Sequence, residues 1–337
     1  MAIYKGNKKV VAVYKGSTPI NKIYKGGTLV FQKSGGGGNT HLIEGTATGN
    51  FNIYINASKD IPITTDASGK WFYDTDETIT SLRSAFYQQS AVTSVDLSNF
   101  DLTGISTRTM FYESSKITSI KFNNTKSMKL VEVDYMFSGC SSLTSLDISS
   151  FDTSNLTSAN YLFADCSSLV SLDVSNWNTS KLQNANRLFA YCNSLTSLDL
   201  SSFNTSNLQD AGALFASCGS LTSINLSSFN TSNITNAYSM FSGCYSLASL
   251  DLSSFNTSNL QDASNLFDGC MALETLDLSN FDMSKVTSYN NMFYNCNKLT
   301  HIKCKQAFKD WCITHQDDIA LPTAMREGDS GTWEIVE

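Results

Sequence analysis

The chain has 337 residues, a formal net charge of −7, 41% hydrophobic residues and 16% charged residues. No stretch approaches the roughly 18 apolar residues that a membrane-spanning helix needs, and the opening residues lack the apolar core of a secretory signal. We therefore expect a protein that is made in the cytoplasm and is not inserted in a membrane. Its acidic charge argues against nucleic acid as the partner.

Residues 1–33 form a basic module with a period of ten. The module holds seven lysines and no acidic residue, which leaves −14 on the rest of the chain. A Tyr-Lys-Gly triplet recurs between β-branched residues, and this pattern predicts three or four short strands joined by tight turns. A sheet this small needs a partner or sister chains to bury its face, so we predict a homo-oligomeric anchor that docks on an acidic protein. The candidate anchoring residues are Tyr4, Lys5, Tyr14, Lys15, Tyr24 and Lys25.

A glycine-rich linker, residues 34–39, separates this module from a β-rich segment, residues 40–91. From Phe51 to Ile55 apolar and polar residues alternate, which predicts a strand with one buried face. Two or three more strands are predicted before residue 76. We expect this segment to cap the open end of the repeats that follow. Its last apolar residues, from Leu82 to Phe86, predict the helical half of an incomplete coil.

Residues 92–300 repeat with a period of 26, marked by seven copies of Phe-x-x-Cys from Phe137/Cys140 to Phe293/Cys296. In each copy an alternating Leu-x-Leu predicts a strand, and apolar residues at helical spacing predict a short helical return. The Asn-Thr-Ser triplets between them are formal glycosylation sequences, which we interpret as turns. We predict an α/β fold: a leucine-rich-repeat solenoid of eight coils, whose strands form one parallel sheet about 40 Å long with short helical turns behind it.

Seven of the nine cysteines occupy one position of the repeat, on its inward face. Neighbouring thiols at a spacing of about 5 Å do not exclude disulfides, but a free cysteine at such a position behaves as a small hydrophobic residue. We therefore predict a buried, reduced ladder of thiols with no zinc or redox role and no cofactor.

The C-terminal cap, residues 301–337, combines metal-ligating residue types at spacings that permit a zinc site. The alternative is one amphipathic helix from Cys304 to His315, on which residues eight apart are about 12 Å distant and share no metal. We predict this helix, followed by a turn and a last strand, Thr332–Val336. The metal-ligating residue types of this cap are His301, Cys304, Cys312 and His315.

The repeat resembles a known family. The stretch LTSLDISSFDTSNLTSANYLFADC at 143–166 shows its consensus, in which Leu-Asp-Leu-Ser-x-Phe is followed by Asp/Asn-Thr-Ser and then by Phe-x-x-Cys. This consensus resembles the BspA-like leucine-rich repeats of bacterial surface proteins, over about residues 92–300. Known members are adhesins or surface-exposed binding proteins, so the resemblance implies recognition of a host, a matrix or a cell surface. The opening IYKG…VYKG…IYKGGTLVFQ resembles N-terminal modules of tail and fibre proteins in phages of gut bacteria.

Together these resemblances imply a phage virion adhesin, a tail fibre or receptor-binding protein. Residues 1–33 would dock on a virion protein, and the solenoid would bind a bacterial surface glycan or protein. The alternatives are a virion decoration or head-fibre protein whose repeats are a spacer, and a bacterial surface adhesin exported by a non-standard route. The three histidines lie outside the regular coils and no catalytic motif is found, so we predict no enzymatic activity.

Two sets of side chains are candidates for ligand binding. The first is a row of aspartates, which Asp96 begins and Lys121 and Asn225 interrupt. Like charges stacked at about 5 Å repel, so the row needs hydrogen bonds from the following Ser-Ser corner, a cation such as calcium, or a partner. The second set is tyrosines, which either pack between coils or bind sugar or protein. The candidates are Asp147, Asp173, Asp199, Asp251, Asp277, Tyr161, Tyr191, Tyr238, Tyr245 and Tyr294.

Overall fold

The structure is a computed structural model that describes residues 13–15, 18–20, 22–25, 28–32, 41–56, 59–63, 65, 69–75, 79–98, 100–125 and 127–336. The strands before the repeats are β1 Val13–Lys15, β2 Thr18–Ile20, β3 Lys22–Lys25, β4 Thr28–Gln32, β5 His41–Ala47, β6 Phe51–Ile55, β7 Lys59–Ile63 and β8 Lys70–Thr75. The strands of the repeats are β9 Val92–Asp96, β10 Ser119–Lys121, β11 Met128–Lys129, β12 Phe151–Asp152, β13 Ser197–Asp199, β14 Ser223–Asn225 and β15 Thr275–Asp277. The C-terminal elements are β16 His301–Lys305, helix α1 Gln306–Thr314, a 3₁₀ turn Thr323–Met325 and β17 Thr332–Val336.

The four strands of the basic module form two antiparallel hairpins, β1 with β2 and β3 with β4. Tyr14 and Lys15 lie in β1, and Tyr24 and Lys25 lie in β3. Tyr4, Lys5 and linker residues 34–39 fall outside the described residues. The short strands predicted for this module are confirmed where the structure describes it.

The β-rich segment covers the first strand of the repeats. β5 pairs antiparallel with β8 on one side and with β9 on the other. The alternation predicted from Phe51 to Ile55 is confirmed, since every second side chain of β6 is buried. Trp71 of β8 packs against Phe86, with ring centroids 5.8 Å apart. β5 lies so close to β9 that a Cβ added at Gly45 would be 1.9 Å from the Ser94 carbonyl oxygen.

Equivalent residues of successive coils pair in parallel, as in Ser197↔Ser223 of β13 and β14. The strands of the coils belong to separate small sheets of two to four strands, so the single long parallel sheet predicted for them is wrong. The strands stay short because backbone groups near the aspartate have local partners. The Ser201 N–H bonds the side chain of Asp199 and not the neighbouring strand, and β13 ends after three residues.

The helical return predicted for each coil is also wrong. In its place lies a run of hydrogen-bonded turns, here named the turn segment and defined by residues 159–166 of the coil that begins at Leu143. Alternate N–H groups close turns within the coil, as Leu162 N–H to Ala159 O, while the others bond the next coil, as Phe163 N–H to Leu188 O. Because half of the N–H groups serve the neighbouring coil, they cannot form the i to i−4 bonds of a helix.

Two residues of each turn segment have a positive φ, four positions apart. They are Tyr161 at 56° and Asp165 at 60° in the coil that begins at Leu143. Each lies third in a hydrogen-bonded turn, where type II turns require the left-handed region. Glycine occupies the second of these positions at Gly139, Gly243 and Gly269, which matches its freedom from a Cβ penalty. Consecutive tight turns thus replace the helix and carry the chain back to the next strand.

A stack of phenylalanine rings fills the core. Neighbouring centroids are 5.2–6.0 Å apart and the rings are nearly parallel. The stack begins one coil earlier than the first complete repeat predicted from the sequence. Its members are Phe86, Phe111, Phe137, Phe163, Phe189, Phe215, Phe241, Phe267 and Phe293, all fully buried.

The cysteine of each coil is buried, unpaired and hydrogen-bonded. Cys166 Sγ donates to the Phe137 carbonyl of the preceding coil at 3.2 Å, and the same bond recurs along the ladder. Ser114 takes the position of the cysteine in its coil, and its hydroxyl bonds the Phe86 carbonyl in the same way. The predicted buried and reduced ladder is confirmed, and its thiols have a donor role that the sequence analysis did not find.

A second buried ladder runs along the corners of the coils. The hydroxyl of Thr179 donates to the Asn204 carbonyl at 3.0 Å and accepts the Asn204 N–H at 2.8 Å. One side chain thus satisfies both backbone groups of the residue 25 positions later. In the same triplet, Asn178 accepts the N–H and the hydroxyl of Ser180. The interpretation of Asn-Thr-Ser as a turn is confirmed. The ladder threonines are Thr153, Thr179, Thr205, Thr231 and Thr257.

At the C-terminus β15, β16 and β17 form a three-stranded parallel sheet, and α1 packs on it through Phe308 and Cys312. β17 has the bounds predicted for the last strand. The helix begins at Gln306, not at Cys304, which lies buried in β16. The reason is the pairing of β16 with β17, in which Cys304 lies opposite Ile335 and is held extended.

Candidate ligand-binding surface

The outward residues of the strands form a polar strand face, on which each aspartate is held by the serine two residues later. Asp147 Oδ1 accepts the Ser149 N–H at 3.0 Å and the Ser149 hydroxyl at 2.7 Å. Asn225 keeps this acceptor without a charge, accepting the N–H and hydroxyl of Ser227. The hydrogen-bond explanation of the aspartate row is therefore confirmed. The same N–H bond forms at Asp173, Asp199, Asp251 and Asp277.

These bonds favour the ionised form of the carboxyl that accepts them, as at Asp147. The Ser149 hydroxyl and N–H hold the pKa of Asp147 below its ordinary value. Lysines of neighbouring coils partly neutralise the row, with Lys121 Nζ 3.6 Å from Asp96 and Lys303 Nζ 3.2 Å from Asp277. In the part of the chain that the structure describes, no group of three or more His, Cys, Asp or Glu side chains is arranged to hold a metal ion.

The structure does not bring the five candidate tyrosines into one row. They occupy five different positions of the repeat relative to its cysteine. Tyr161 is half-buried, whereas Tyr191, Tyr238, Tyr245 and Tyr294 are 39–51% exposed. As a set they form no continuous surface.

A continuous aromatic row lies on the turn segments of the first four coils, counting the incomplete coil that contains Phe86. Ring centroids are 5.3 Å apart for Tyr87 and Tyr112, 5.8 Å for Tyr112 and Tyr135, and 4.4 Å for Tyr135 and Tyr161. Arg187 follows in the next coil, with its guanidinium carbon 5.1 Å from the Tyr161 centroid and an N–H donated to the Tyr161 hydroxyl. We name these five side chains the tyrosine ridge.

Of this ridge, only Tyr161 is among the candidate tyrosines predicted from the sequence. The signal that was available is the spacing: Tyr87 and Tyr112 are one short repeat of 25 apart, while Tyr135, Tyr161 and Arg187 follow at intervals of 26. These two groups occupy different positions of the repeat, so periodicity alone does not join them. Only the packing of Tyr112 against Tyr135 makes one row.

Acidic side chains flank the ridge at the second left-handed position of the turn segment. Glu113 accepts a hydrogen bond from Gln88 Nε2 at 2.6 Å. A hydrogen bond with the Glu113 carboxylate, together with burial, raises the pKa of Tyr112 to about 12. The Glu113 carboxylate is therefore oriented by two neighbours at the side of the ridge.

Gly139 packs closely on the preceding coil beside the ridge. A Cβ added there would lie 2.9 Å from the Glu113 Cα, so no side chain fits without movement. Glu113 in the preceding coil and Asp165 in the following coil are the next side chains along this line. Burial raises the pKa of Asp165, Arg187 opposes this shift and Glu113 adds to it. Two carboxylates thus lie along the side of the ridge, with a glycine between them.

The residues considered for zinc have other partners. His301 Nε2 is 3.2 Å from a Glu334 carboxylate oxygen, and His315 Nδ1 is 2.8 Å from the Trp311 carbonyl oxygen. Cys304 and Cys312 are buried, and burial raises the pKa of Cys304 to about 11. These four residues serve packing and local hydrogen bonds at the end of the stack.

The fold and the regular surface define the class: a repeat protein of stacked, mostly β coils with small sheets and one α-helix among the described residues. The chain belongs to the family described as "Mycoplasma protein of unknown function, DUF285", whose profile matches residues 80–198, 105–224 and 191–311. These tandem matches are consistent with a BspA-like repeat and do not reach residues 1–33. No curated protein and no solved structure matches the chain. No helix in the described ranges has the length and apolar character to cross a membrane.

Proposed function

We propose that the chain is a receptor-binding protein whose repeats form a leucine-rich-repeat-type solenoid that attaches to a bacterial surface. The observation that carries this proposal is the regular stack of coils that presents a continuous, partly exposed tyrosine ridge. Rigid aromatic side chains with a polar tip contribute contact area at a low entropic cost, and for this reason they are common in binding surfaces.

The stack supports this role because it is rigid. The phenylalanine stack, the thiol bonds and the corner threonines all join one coil to the next. A surface built on such a scaffold keeps its side chains in place, so little ordering entropy opposes binding. Linked copies of the chain would further strengthen weak contacts by raising the effective concentration.

We further propose that residues 1–33 attach the chain to a phage virion as a homo-oligomer. The support is the basic Tyr-Lys-Gly repeat, the hairpins β1–β2 and β3–β4, and the glycine-rich linker that follows them. A second candidate is a bacterial surface adhesin. It is favoured by the family description, which places members of the family in Mycoplasma.

Binding of the full-length labelled chain to a panel of bacterial strains tests the proposal. Selective binding to a few strains is the expected result. Binding to no strain would contradict it and leave the spacer function. Mass spectrometry of purified virions and of uninfected cells separates the two candidates, because the virion protein co-purifies with particles and the adhesin is present without them.

A further inference from the structure

The tyrosine ridge is a preformed, linear contact surface. It takes one side chain from each of five successive coils, and each side chain touches the next. Four steps at the spacing of paired strands, about 4.8 Å, give a ridge about 20 Å long. Because the rings already rest on each other, a ligand does not have to immobilise them.

The ridge carries the polar groups that a ligand rich in hydroxyl groups requires. Glu113 and Asp165 offer carboxylate acceptors, while Gln88 and Arg187 add planar donors. Gln88 and Glu113 are already oriented by their mutual hydrogen bond, and Arg187 is oriented by Tyr161. Tyrosine hydroxyls and ring edges beside planar hydrogen-bonding groups match the hydroxyl rim of a sugar, whereas the faces of the stacked rings lie against each other.

The net charge of the side chains along the ridge argues against an anionic ligand. Three carboxylates, of Glu113, Asp134 and Asp165, lie along the ridge, and two arginines, Arg108 and Arg187, oppose them. The remaining negative charge repels phosphate, so nucleic acids and acidic polysaccharides are disfavoured.

Spacing argues against an extended peptide. A peptide strand advances about 3.3 Å per residue and places side chains of one face about 6.6 Å apart, which drifts out of step with the coils. A pyranose unit in an extended chain advances by roughly the strand spacing of about 4.8 Å, so one sugar can meet one coil.

We propose that the tyrosine ridge, with Glu113 and Asp165 at its side, is a binding site for a linear neutral glycan that lies along the stack with one sugar unit per coil. The carboxylates of Glu113 and Asp165 accept hydroxyl hydrogens of the sugars that lie beside them. This site rests on the proposed attachment to a bacterial surface and specifies both its place and its ligand class.

The first test is calorimetric titration of the full-length chain with size-graded neutral oligosaccharides of glucose, mannose, galactose and N-acetylglucosamine. In the series that binds, affinity should rise with length and level off at the tetrasaccharide or pentasaccharide, because the ridge spans five coils. An affinity that does not depend on length beyond the disaccharide would overturn the proposed register, and failure of every series to bind would overturn the site.

The second test uses substitutions that other coils already carry at the same position. Tyr161→Ala copies Ala213, and Tyr112→Ala copies Ala164. Each should raise the oligosaccharide Kd about tenfold or more, as loss of a central contact does. The matched control is Tyr294→Ala, which removes an exposed tyrosine from the position of Tyr112 at the other end of the stack. It should leave the Kd unchanged, and circular dichroism should show all three variants folded.

A third pair of variants tests the carboxylates. Asp165→Asn copies Asn295, which has the same backbone conformation, and Glu113→Gln keeps the side-chain length. Each should weaken oligosaccharide binding several-fold, because an amide is a weaker acceptor for sugar hydroxyls than a carboxylate. Unchanged affinity in both variants would remove the two carboxylates from the site.

Cell binding separates this site from the proposed function. Cell binding by wild type that persists in Tyr112→Ala and Tyr161→Ala would refute the ridge and leave the function standing. Ridge-dependent oligosaccharide binding without any cell binding would refute the function and support the ridge. Ridge-dependent cell binding that protease treatment of the cells abolishes, and that oligosaccharides do not inhibit, would identify a protein ligand and overturn the glycan.

Discussion

Replacing Thr205 with valine removes one hydroxyl from the buried corner ladder and leaves the side-chain shape nearly unchanged. In the wild type this hydroxyl donates to the Asn230 carbonyl at 3.1 Å and accepts the Asn230 N–H at 2.8 Å. Each bond contributes about 1 kcal/mol, and leaving a buried partner unsatisfied costs about 1–3 kcal/mol. We therefore expect Thr205→Val to lower the free energy of unfolding by about 2–4 kcal/mol.

The chain supplies a natural comparison for this position. Met283 occupies it in the last regular coil, where no further corner follows and no hydroxyl is needed. Thr205→Ser keeps the hydroxyl and should cost only about 1 kcal/mol for the lost methyl group. Thr196→Val changes an exposed threonine of the strand face and should stay within about 0.5 kcal/mol of wild type.

Urea unfolding followed by circular dichroism measures these differences. Repeat proteins can lose two-state cooperativity, so hydrogen exchange of the Asn230 amide provides a local measurement. This amide should exchange faster in Thr205→Val and keep its protection in Thr205→Ser. If Thr205→Val matched the exposed control in stability and left the Asn230 exchange unchanged, the argument that the hydroxyl links two coils would be refuted.

Three further predictions concern the cap, the thiol ladder and the ridge. Gly45→Ala should destabilise the cap by at least about 2 kcal/mol, because the added Cβ would lie 1.9 Å from a backbone oxygen of β9. In the control Gly49→Ala the added Cβ has no atom within 4 Å, so the melting temperature should not change. Burial raises the pKa of Cys218 from about 9 to about 12, so folded chains keep a proton that unfolded chains lose. The free energy of unfolding should therefore fall above about pH 9, by up to about 1.4 kcal/mol per pH unit and per thiol. Cys218→Ser should make this dependence on pH shallower. Equal free energies of unfolding from urea titrations at pH 8 and pH 10 would contradict this prediction. Glu113→Gln should lower the pKa of Tyr112 from about 12 towards 10, because the carboxylate that holds the phenol proton is gone. A spectrophotometric titration of the tyrosine that shows no such shift would disprove the hydrogen bond between Tyr112 and Glu113.

Much of the stack could be predicted because its signals are local or strictly periodic. The interval of 26 identifies the buried phenylalanines and cysteines, and the same spacing appears as the register of Ser197↔Ser223. Alternation predicts the buried face of β6, and a turn followed by β-branched and aromatic residues predicts β17. Each of these patterns depends on residues that are neighbours in sequence or on the constant interval of 26 residues between equivalent positions of the coils.

The prediction of a helical return was wrong because its pattern of apolar residues fits two different backbone structures. Apolar residues three and four apart, as from Leu208 to Cys218, suit one face of a helix and also suit consecutive tight turns. The choice depends on where the N–H groups bond, and in the folded chain alternate groups bond the coil that follows. That partner lies 25 residues away, outside any local pattern.

The sequence by itself determined the period, the residues that face the core, the polar face of the strands and the bounds of the last strand, because hydrophobic burial follows from side-chain type and spacing. The tertiary structure alone decided how each coil closes, where the parallel strands stop pairing and which tyrosines meet. The ridge shows the reason. Tyr112 and Tyr135 occupy different positions of the repeat, and only the stacking of whole coils places their rings 5.8 Å apart.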